Sequence, residues 1–208
     1  MATRLEKREL ILETAEMIFL DKGLFNTAMD QIADACHMSR RTLYRYFDKK
    51  EDLAYEVTTR LLIQWNVFFD ECYKNLDGNG LLCLEQFMLK LIGYMADQID
   101  VMTYLGEFDF YFKDSAVLLP SEEPKSHFND IILESDDYFK ALLEKGVSDG
   151  SIKSNTDIIL TEATISNVLW SFGQRVASRG KIILEETGFE AVELVKHQVY
   201  LYIQALKA

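Results

Sequence analysis

Apolar residues recur every three or four positions along most of the chain, which is the spacing of one face of an α-helix. The first stripe lies between a pair of capping residues, Thr3 and Glu6, and a helix-ending glycine, Gly23. It consists of Ile11, Ala15, Ile18 and Phe19. Only two prolines interrupt the helical periodicity of the whole chain. We therefore expect an all-α protein.

Three further helices are predicted soon after the first. Thr27, with Asp30 three residues later, is placed to begin a short second helix, and Ser39 to begin a third that ends near Phe47. Asp48 starts a long fourth helix that ends near residue 76. The pattern then predicts helices at 81–99, 101–114, 125–146, 157–179 and 186–206, with a long loop at 115–126.

The third helix has two contrasting faces. Leu43 and Phe47 share one face, while Arg41 and Arg45 lie roughly opposite, one turn apart. Two short helices joined by a tight turn, the second of them basic, are typical of a helix-turn-helix that reads DNA. The alternative is a charged helix face that is simply solvated.

Charge is distributed unevenly along the 208 residues, whose formal net charge is -12. Residues 1–50 carry nine Lys/Arg against eight Asp/Glu, and the remainder carries thirteen against twenty-six. Positive charge is concentrated in the stretch 39–50, where it would meet a polyanion, while the acidic remainder disfavours DNA elsewhere on the surface.

The basic stretch offers groups for both bases and phosphates. Arg40 and Arg41 stand at the end of the third helix that enters the major groove first, and a guanidinium matches the two acceptors of a guanine edge. Tyr44 and Tyr46 lie on the flanks of the helix, within reach of phosphates. Lys49 and Lys50, at the start of the fourth helix, are expected to act mainly on phosphates.

Residues 11–57, ILETAEMIFLDKGLFNTAMDQIADACHMSRRTLYRYFDKKEDLAYEV, resemble the DNA-binding domain of TetR-type (tetracycline-repressor-like) regulators. The matching positions are Ala15, Phe19, Gly23, Thr27, Ile32, Ala33, Ser39, Thr42, Leu43, Tyr44, Phe47, Lys50 and Leu53. Three positions depart from the family pattern: His37 stands where a glycine is common, Ala28 where a Ser or Thr is common, and Tyr46 where a histidine is frequent.

The resemblance implies a set of DNA-contacting residues and a two-domain organisation. The residues that approach bases or phosphates would be Thr27, Met29, Arg40, Arg41, Thr42, Tyr44, Arg45, Tyr46 and Lys50. A three-helix DNA-binding domain would occupy residues 1–50, and a larger helical domain for effector binding and dimerisation would occupy residues 51–208.

Apolar stripes on the last two helices predict a four-helix interface between two copies of the chain. The proposed interface residues are Ile165, Leu169, Phe172, Val176, Val192, Val195, Val199 and Tyr202. The alternative is that these stripes face the core of their own protomer. A two-fold dimer would place its two recognition helices about 34 to 36 Å apart on a palindromic double-stranded DNA operator.

Family members usually enclose a small-molecule pocket in the larger domain, and the aromatic side chains and methionines of this chain suit such a cavity. The candidates are Trp65, Phe69, Met88, Met95, Tyr104, Phe108, Tyr111, Phe112, Phe139 and Trp170, most of which we expect to be ordinary core. Glu107 and Asp109 lie among aromatic residues, which suits a lipophilic cation. They could instead face solvent, and the same aromatic residues would accept a neutral acyl ligand.

Other functional classes find little support in the sequence. Cys36, Cys72 and Cys83 are far apart and suit small buried side chains, and no metal-ligand spacing is present. No enzyme motif, cofactor-binding loop, signal peptide or membrane span is visible, so we expect a cytoplasmic protein that is not an enzyme.

The leading hypothesis is therefore a homodimeric transcription regulator, most often a repressor, that a small hydrophobic effector of unknown identity releases from its operator. A second hypothesis keeps the DNA-binding module but replaces the small effector with a protein partner. A third, an all-helical enzyme, lacks any acid–base or metal constellation.

Overall fold

The computed structural model describes residues 3–114 and 125–208, including all their side chains except those of 125–130 and 132–137. Helices account for most of these residues, which confirms the all-α prediction. Within the described ranges they are α1 (Arg4–Lys22), α2 (Met29–Ala35), α3 (Arg40–Leu43), α4 (Lys50–Lys74), α5 (Gly80–Asp97), α6 (Ile99–Tyr111), α7 (Lys125–Ser148), α8 (Ile158–Thr187) and α9 (Ala191–Leu206).

Several predicted helix ends are confirmed by local hydrogen bonds. Thr3 and Glu6 cap α1 reciprocally, the backbone N–H of Gly23 closes its other end, and Ser39 caps α3. The predicted cap at Thr27 is wrong, because the chain enters α2 one residue later, at Ala28. The predicted end of the eighth helix at 179 is also wrong, since α8 continues to Thr187 and ends at Gly188. Of the predicted loop at 115–126, residues 115–124 lie outside the described residues.

One compact unit contains the described residues of Met1–Ile63 together with those of Thr103–Ile131. Its core contains fully buried side chains from α1, α2, α3, α4 and α6, including Phe19, Ile32, Leu43, Leu53 and Tyr104. The predicted domain boundary after residue 50 stays a prediction, because residues of α4 and α6 pack in the same unit as the three N-terminal helices.

Ion pairs join α1 to α4 within this unit. Arg8 pairs with Glu56, and Arg60 pairs with Glu9 and lies 3.7 Å from Glu16. Burial raises the pKa of both Glu16 and Glu56, although the neighbouring arginine opposes the shift in each case. Glu16 and Glu56 are therefore partly desolvated carboxylates that lie beside arginines between the two helices.

The second unit contains Gln64–Met102 and the described residues of Ile132–Ala208. Its main packing is among α5, α8 and α9. The buried side chains alternate with exposed ones at helical spacing, as on α9, where Val195, Val199 and Ile203 face inward. Ile152 and Lys207 form a short antiparallel bridge that attaches the end of the chain to the turn before α8.

Glycines mark the places where helices of the second unit approach most closely. Gly80, at the start of α5, lies against the backbone of Gly146 in α7, and a Cβ atom at Gly80 would overlap that backbone. The same end of α5 is held by side chains, because Asp149 and Ser151 accept hydrogen bonds from the N–H groups of Gly80 and Leu81 at 2.6 Å and 3.0 Å. Backbone packing therefore fixes where α5 begins.

The cysteines are placed as their sequence pattern indicated. Cys36, Cys72 and Cys83 are all buried and unpaired by disulfide. Among the described residues, no helix combines the length and the apolar character that crossing a membrane requires.

We expect Gly80→Ala to lower the free energy of unfolding by about 2 kcal/mol or more, because the new methyl group would meet backbone atoms that cannot rotate away. Gly93→Ala, in the same helix but with open space around the new Cβ, should be neutral or raise it by about 0.5 to 1 kcal/mol. Urea unfolding of both variants measures the difference. Equal changes in the free energy of unfolding would show that the close approach of α5 to α7 does not require glycine at position 80.

Candidate nucleic-acid interface and effector site

The short helix α3 is oriented by its cap and its apolar face. The Ser39 hydroxyl accepts the N–H of Thr42 at 3.2 Å and lies 2.8 Å from the Thr42 hydroxyl. Leu43 is fully buried and Phe47 nearly so. The guanidinium of Arg8, on α1, lies 5.1 Å above the Phe47 ring. A helix of four residues is thus held in one orientation by its neighbours.

The exposed basic surface begins on α3 and continues into the turn after it, because α3 ends at Leu43 and not near Phe47 as predicted. Arg40, Arg41, Tyr44 and Arg45 are all exposed, as the sequence pattern predicted. Arg40 forms an ion pair with Asp30 of α2, which draws this guanidinium toward the preceding helix. Arg41, Tyr44 and Arg45 therefore form the part of the predicted DNA surface that projects most freely, and arginine and tyrosine are suited to bases and phosphates respectively.

Thr42 and Tyr46 lie beside this face and are half-buried. The Thr42 hydroxyl is already engaged with Ser39, so its predicted DNA contact would compete with the helix cap. Both residues remain candidates for contacts at the edge of the surface.

The turn between α2 and α3 has the left-handed conformation expected at His37, whose φ is 53°. Glycine adopts this conformation at little cost, whereas a residue with a side chain does so less readily. The turn closes with a hydrogen bond of 2.9 Å from the N–H of Met38 to the carbonyl of Ala33.

Thr27 and Met29 do not occupy the positions that their predicted DNA contacts require. Thr27 is only 2% exposed and its hydroxyl donates to the carbonyl of Gly23 at 2.8 Å, while Met29 is 7% exposed. Both side chains are packed inside the unit, so we leave them out of the candidate interface. Their apolar and hydrogen-bonded surroundings come from tertiary packing, which the family pattern of residues 11–57 does not reveal.

Lys50 is also placed differently from the expectation. Its ammonium donates to the carbonyls of Leu24 and Thr27, at 2.8 Å and 3.0 Å, and lies 5.2 Å from the centre of the Tyr111 ring. A lysine that binds phosphate directs its ammonium to solvent, whereas this one holds the loop between α1 and α2. The neighbouring Lys49 is exposed and is the better candidate for a phosphate contact.

Six of the predicted effector-binding residues lie in the second unit. Trp65 is the centre of an aromatic group, with ring centroids 5.9 Å from Phe69, 5.6 Å from Trp170 and 5.1 Å from Tyr94. Tyr94 in turn stacks on Phe68 at 4.1 Å. Neither Phe68 nor Tyr94 is among the predicted effector residues, although both continue the aromatic spacing of α4 and α5. Met88, Met95 and Phe139 are buried residues of the same unit.

The remaining four predicted effector residues, Tyr104, Phe108, Tyr111 and Phe112, are described in the first unit. Tyr104 is buried, stacks on Phe19 and shares a hydrogen bond of 3.0 Å with the hydroxyl of Thr58, and burial raises its pKa. Phe108 and Phe112 pack against Tyr55. We therefore leave these four out of the candidate effector site.

Tyr111 has a defined structural partner. Its hydroxyl donates to Glu51 at 2.7 Å, and this hydrogen bond, together with burial, raises the pKa of Tyr111. Burial would raise the pKa of Glu51, but the hydrogen bond from Tyr111 and the charge of Lys50 lower it. The pair joins α6 to the first turn of α4.

Glu107 has a different role from either of the two expected. Its carboxylate accepts the backbone N–H of Leu24 at 2.6 Å, so it neither faces solvent nor stands free to bind a lipophilic cation. Asp109, two residues later, is exposed. Within the described residues, no group of three His, Cys, Asp or Glu side chains is arranged to hold a metal ion.

The predicted dimer residues divide into two sets. Ile165, Leu169, Val195 and Val199 are buried within the chain, so these four follow the alternative interpretation, in which the stripes face the protomer's own core. Phe172, Val176, Val192 and Tyr202 are half-buried. The large apolar side chains that α8 and α9 leave exposed are Ile159, Leu160, Val168, Ile182, Leu184, Tyr200 and Leu201.

The helix-turn-helix region has a clear counterpart among known proteins. Residues 11–57 match the family model described as bacterial regulatory proteins of the tetR family. Residues 11–57 are therefore a TetR-type DNA-binding domain. The matched residues extend from α1 to the first turns of α4, so they contain the whole exposed basic face of α3.

Similarity to TetR-family proteins extends beyond the matched segment. The transcriptional repressor KstR2 of Mycolicibacterium smegmatis is 26% identical over 190 residues, which cover 91% of this chain and 88% of that protein. KstR2 of Rhodococcus jostii is 24% identical over 164 residues, covering 79% and 76%.

Solved structures resemble the fold over nearly the full length. The ketosteroid transcriptional regulator KstR2 of Mycobacterium tuberculosis has a TM-score of 0.67 at 18% identity, covering 97% of this chain and 95% of that one. FadR of Bacillus subtilis, solved in complex with stearoyl-CoA, has a TM-score of 0.65 at 16% identity, covering 94% and 97%. At these identities the likeness shows the fold.

The matched domain and the similar repressors indicate a DNA-binding transcription regulator of the TetR type rather than an enzyme. Arg41 on α3, together with Tyr44 and Arg45 in the turn that follows, are the exposed side chains that remain candidates for contacts with DNA.

We expect Tyr44→Ala to reduce affinity for the preferred DNA by at least about tenfold while changing the free energy of unfolding by no more than about 0.5 kcal/mol, since the side chain is exposed. Leu43→Ala, one position away but fully buried, should cost about 2 to 5 kcal/mol of stability. Fluorescence anisotropy with labelled duplex and urea unfolding measure the two quantities. Unchanged DNA affinity of the Tyr44 variant would remove this residue from the interface.

Proposed function

We propose that this TetR-family regulator is a homodimeric repressor that binds a palindromic operator and is released from it by a hydrophobic effector. The observation that carries the proposal is the exposed basic surface of α3 and the turn after it, where Arg41, Tyr44 and Arg45 project while Leu43 and Phe47 are buried. DNase footprinting on duplexes selected from a random-sequence library tests the operator. A protected palindrome with half-sites one helical turn apart is the expected result, and a single unpaired site would contradict it.

The proposed dimer uses the exposed apolar side chains of α8 and α9. Leu160, Val168 and Ile182 on α8 and Tyr200 and Leu201 on α9 are all more than a third exposed in the single chain. Large apolar side chains exposed together on two adjacent helices are typical of a surface that a partner covers. A second copy of the chain is the occupant we propose, since two antiparallel helices from each copy make a four-helix interface.

Leu201→Glu should convert the dimer to a monomer at micromolar concentration, because the carboxylate would have to be desolvated at the interface. Leu82→Glu makes the same substitution at a similarly exposed leucine on α5 that is not part of the proposed interface, and it should leave the dimer intact. Sedimentation equilibrium measures both. A Leu201 variant that remains dimeric would place the interface elsewhere.

The proposed effector site is the aromatic group formed by Trp65, Phe68, Tyr94 and Trp170. Trp65 is buried, whereas Phe68, Tyr94 and Trp170 are half-buried, so the group combines a packed interior with accessible ring surface. Aromatic walls with few charges suit a hydrophobic ligand. The similarity to a stearoyl-CoA-bound FadR and to ketosteroid regulators supports an acyl or steroid-like effector, and a long-chain acyl-CoA is the first compound to test.

The two tryptophans of the chain both belong to this group, so intrinsic fluorescence reports on it directly. Stearoyl-CoA should change tryptophan emission in a saturable manner and release DNA over the same concentration range, whereas free coenzyme A should do neither. Trp170→Ala should weaken both effects by about tenfold or more, because it removes one of the aromatic walls. Release of DNA without any change in emission would place the effector at another site.

A further inference from the structure

The peptide of Leu24 is held by side chains at both of its polar ends. Its N–H donates to the Glu107 carboxylate at 2.6 Å, and its carbonyl accepts from the Lys50 ammonium at 2.8 Å. Glu107 belongs to α6 and Lys50 to α4, so two helices far apart in sequence meet at one residue of the loop 23–28. The side chain of Leu24 is fully buried, so packing holds this residue in addition to the two hydrogen bonds of its backbone. We call these two hydrogen bonds the Leu24 clamp.

Gly23 is what allows the carboxylate to approach. A Cβ atom at this position would lie 2.5 Å and 2.6 Å from the two Glu107 oxygens, well inside contact distance, and the φ of Gly23 is 81°. A side chain here would have to displace the carboxylate as well as adopt an unfavourable backbone conformation. The glycine that ends α1 is therefore also the residue that admits Glu107.

Aromatic contacts place α6 beside the loop on the same side. Phe25 packs against Phe110 and Tyr111, with ring centroids 5.9 Å and 5.2 Å apart. Glu107, Phe110 and Tyr111 are spaced by three and four residues and share one face of α6. The ring of Tyr111 also lies beside the Lys50 ammonium. Residues 107–111 of α6 therefore contribute Glu107 directly and support Lys50 through Tyr111.

The loop leads directly into the helix-turn-helix. Lys50 holds the carbonyl of Thr27 at 3.0 Å, and the Thr27 hydroxyl closes the loop on Gly23. The next residues, Ala28 and Met29, begin α2, which packs against α3. In a helix-turn-helix the first helix crosses the DNA backbone while the second enters the major groove, so the start of α2 influences the position of the reading helix.

We propose that Glu107 and Lys50 are positioning residues for DNA recognition, which act together through the peptide of Leu24. Lys50 contributes by holding the loop 23–28, rather than by neutralising a phosphate. The proposal rests on DNA reading by α2 and α3, and it is independent of the identity of the effector. The roles of Lys50 and Glu107 are tested by different measurements.

Salt dependence distinguishes the two roles of lysine. A lysine that neutralises one phosphate contributes about 0.9 to the slope of log affinity against log salt concentration. We expect Lys50→Met to lower affinity for a duplex selected by the unaltered protein by about tenfold or more, with the slope unchanged. Lys49→Met, the adjacent exposed lysine, should lower the slope by about 0.9 for each phosphate that Lys49 neutralises. A reduced slope in the Lys50 variant would overturn the positioning role.

Substitutions at Glu107 test the hydrogen bond that its carboxylate accepts from the N–H of Leu24. Glu107→Ala leaves the N–H of Leu24 without its acceptor and should reduce affinity for the selected duplex by about tenfold, while affinity for an unrelated duplex is retained. Glu107→Gln keeps a side-chain oxygen that can accept this N–H. It should therefore retain most of the affinity for the selected duplex that Glu107→Ala loses. Affinities are expressed per folded molecule, with the folded fraction taken from circular dichroism. Equal reductions on both duplexes would indicate a merely structural role and overturn the proposal.

The double variant tests whether Lys50 and Glu107 act together. Because both hold the same peptide, Glu107→Ala combined with Lys50→Met should weaken specific binding by less than the product of the two single effects. Amide exchange of Leu24, followed by NMR, should accelerate in each single variant. Independent, multiplicative effects would contradict a shared clamp. If the unaltered protein selects no duplex at all, DNA reading itself fails, which is distinct from a protein that reads DNA equally well without the clamp.

Discussion

The burial of one face of α3 is the interaction on which the DNA-reading surface depends. A helix of four residues has too few internal hydrogen bonds to be stable alone, so its orientation comes from the packing of Leu43 and Phe47. Arg8, which lies over the Phe47 ring and pairs with Glu56, connects this packing to α1 and α4. Burying Leu43 and Phe47 on one side leaves Arg41, Tyr44 and Arg45 on the other.

Charged groups in the first compact unit are used in two ways. Exposed ones on α3 remain available for a polyanion, whereas Glu16, Glu56, Arg60, Glu107 and Lys50 hold the helices and the loop 23–28 together. The distinction matters because a sequence count treats all basic residues of the stretch 39–50 alike. Lys49 and Lys50 are neighbours in sequence, yet one is exposed and the other donates to two backbone carbonyls.

The apolar residues of α8 and α9 likewise divide into buried ones that pack inside the protomer and exposed ones. Their helical stripes were correctly identified in the sequence, but Ile165, Leu169, Val195 and Val199 already pack inside the protomer. The side chains left exposed, such as Val168 and Leu201, lie immediately beside them. Periodicity identifies an amphipathic helix, yet a helix between a core and a partner has two apolar faces, and their spacings alone do not assign each face to its neighbour.

The sequence by itself determined the all-α fold, the caps at Thr3 and Ser39, the turn at His37 and the TetR-type DNA-binding domain, because these depend on local periodicity, capping chemistry and a specific motif spacing. Tertiary structure alone decided that Thr27 and Met29 are buried and that Lys50 and Glu107 meet at Leu24. Glu107 and Leu24 are 83 residues apart. A contact at that separation depends on how α1, α4 and α6 pack, which no local pattern records.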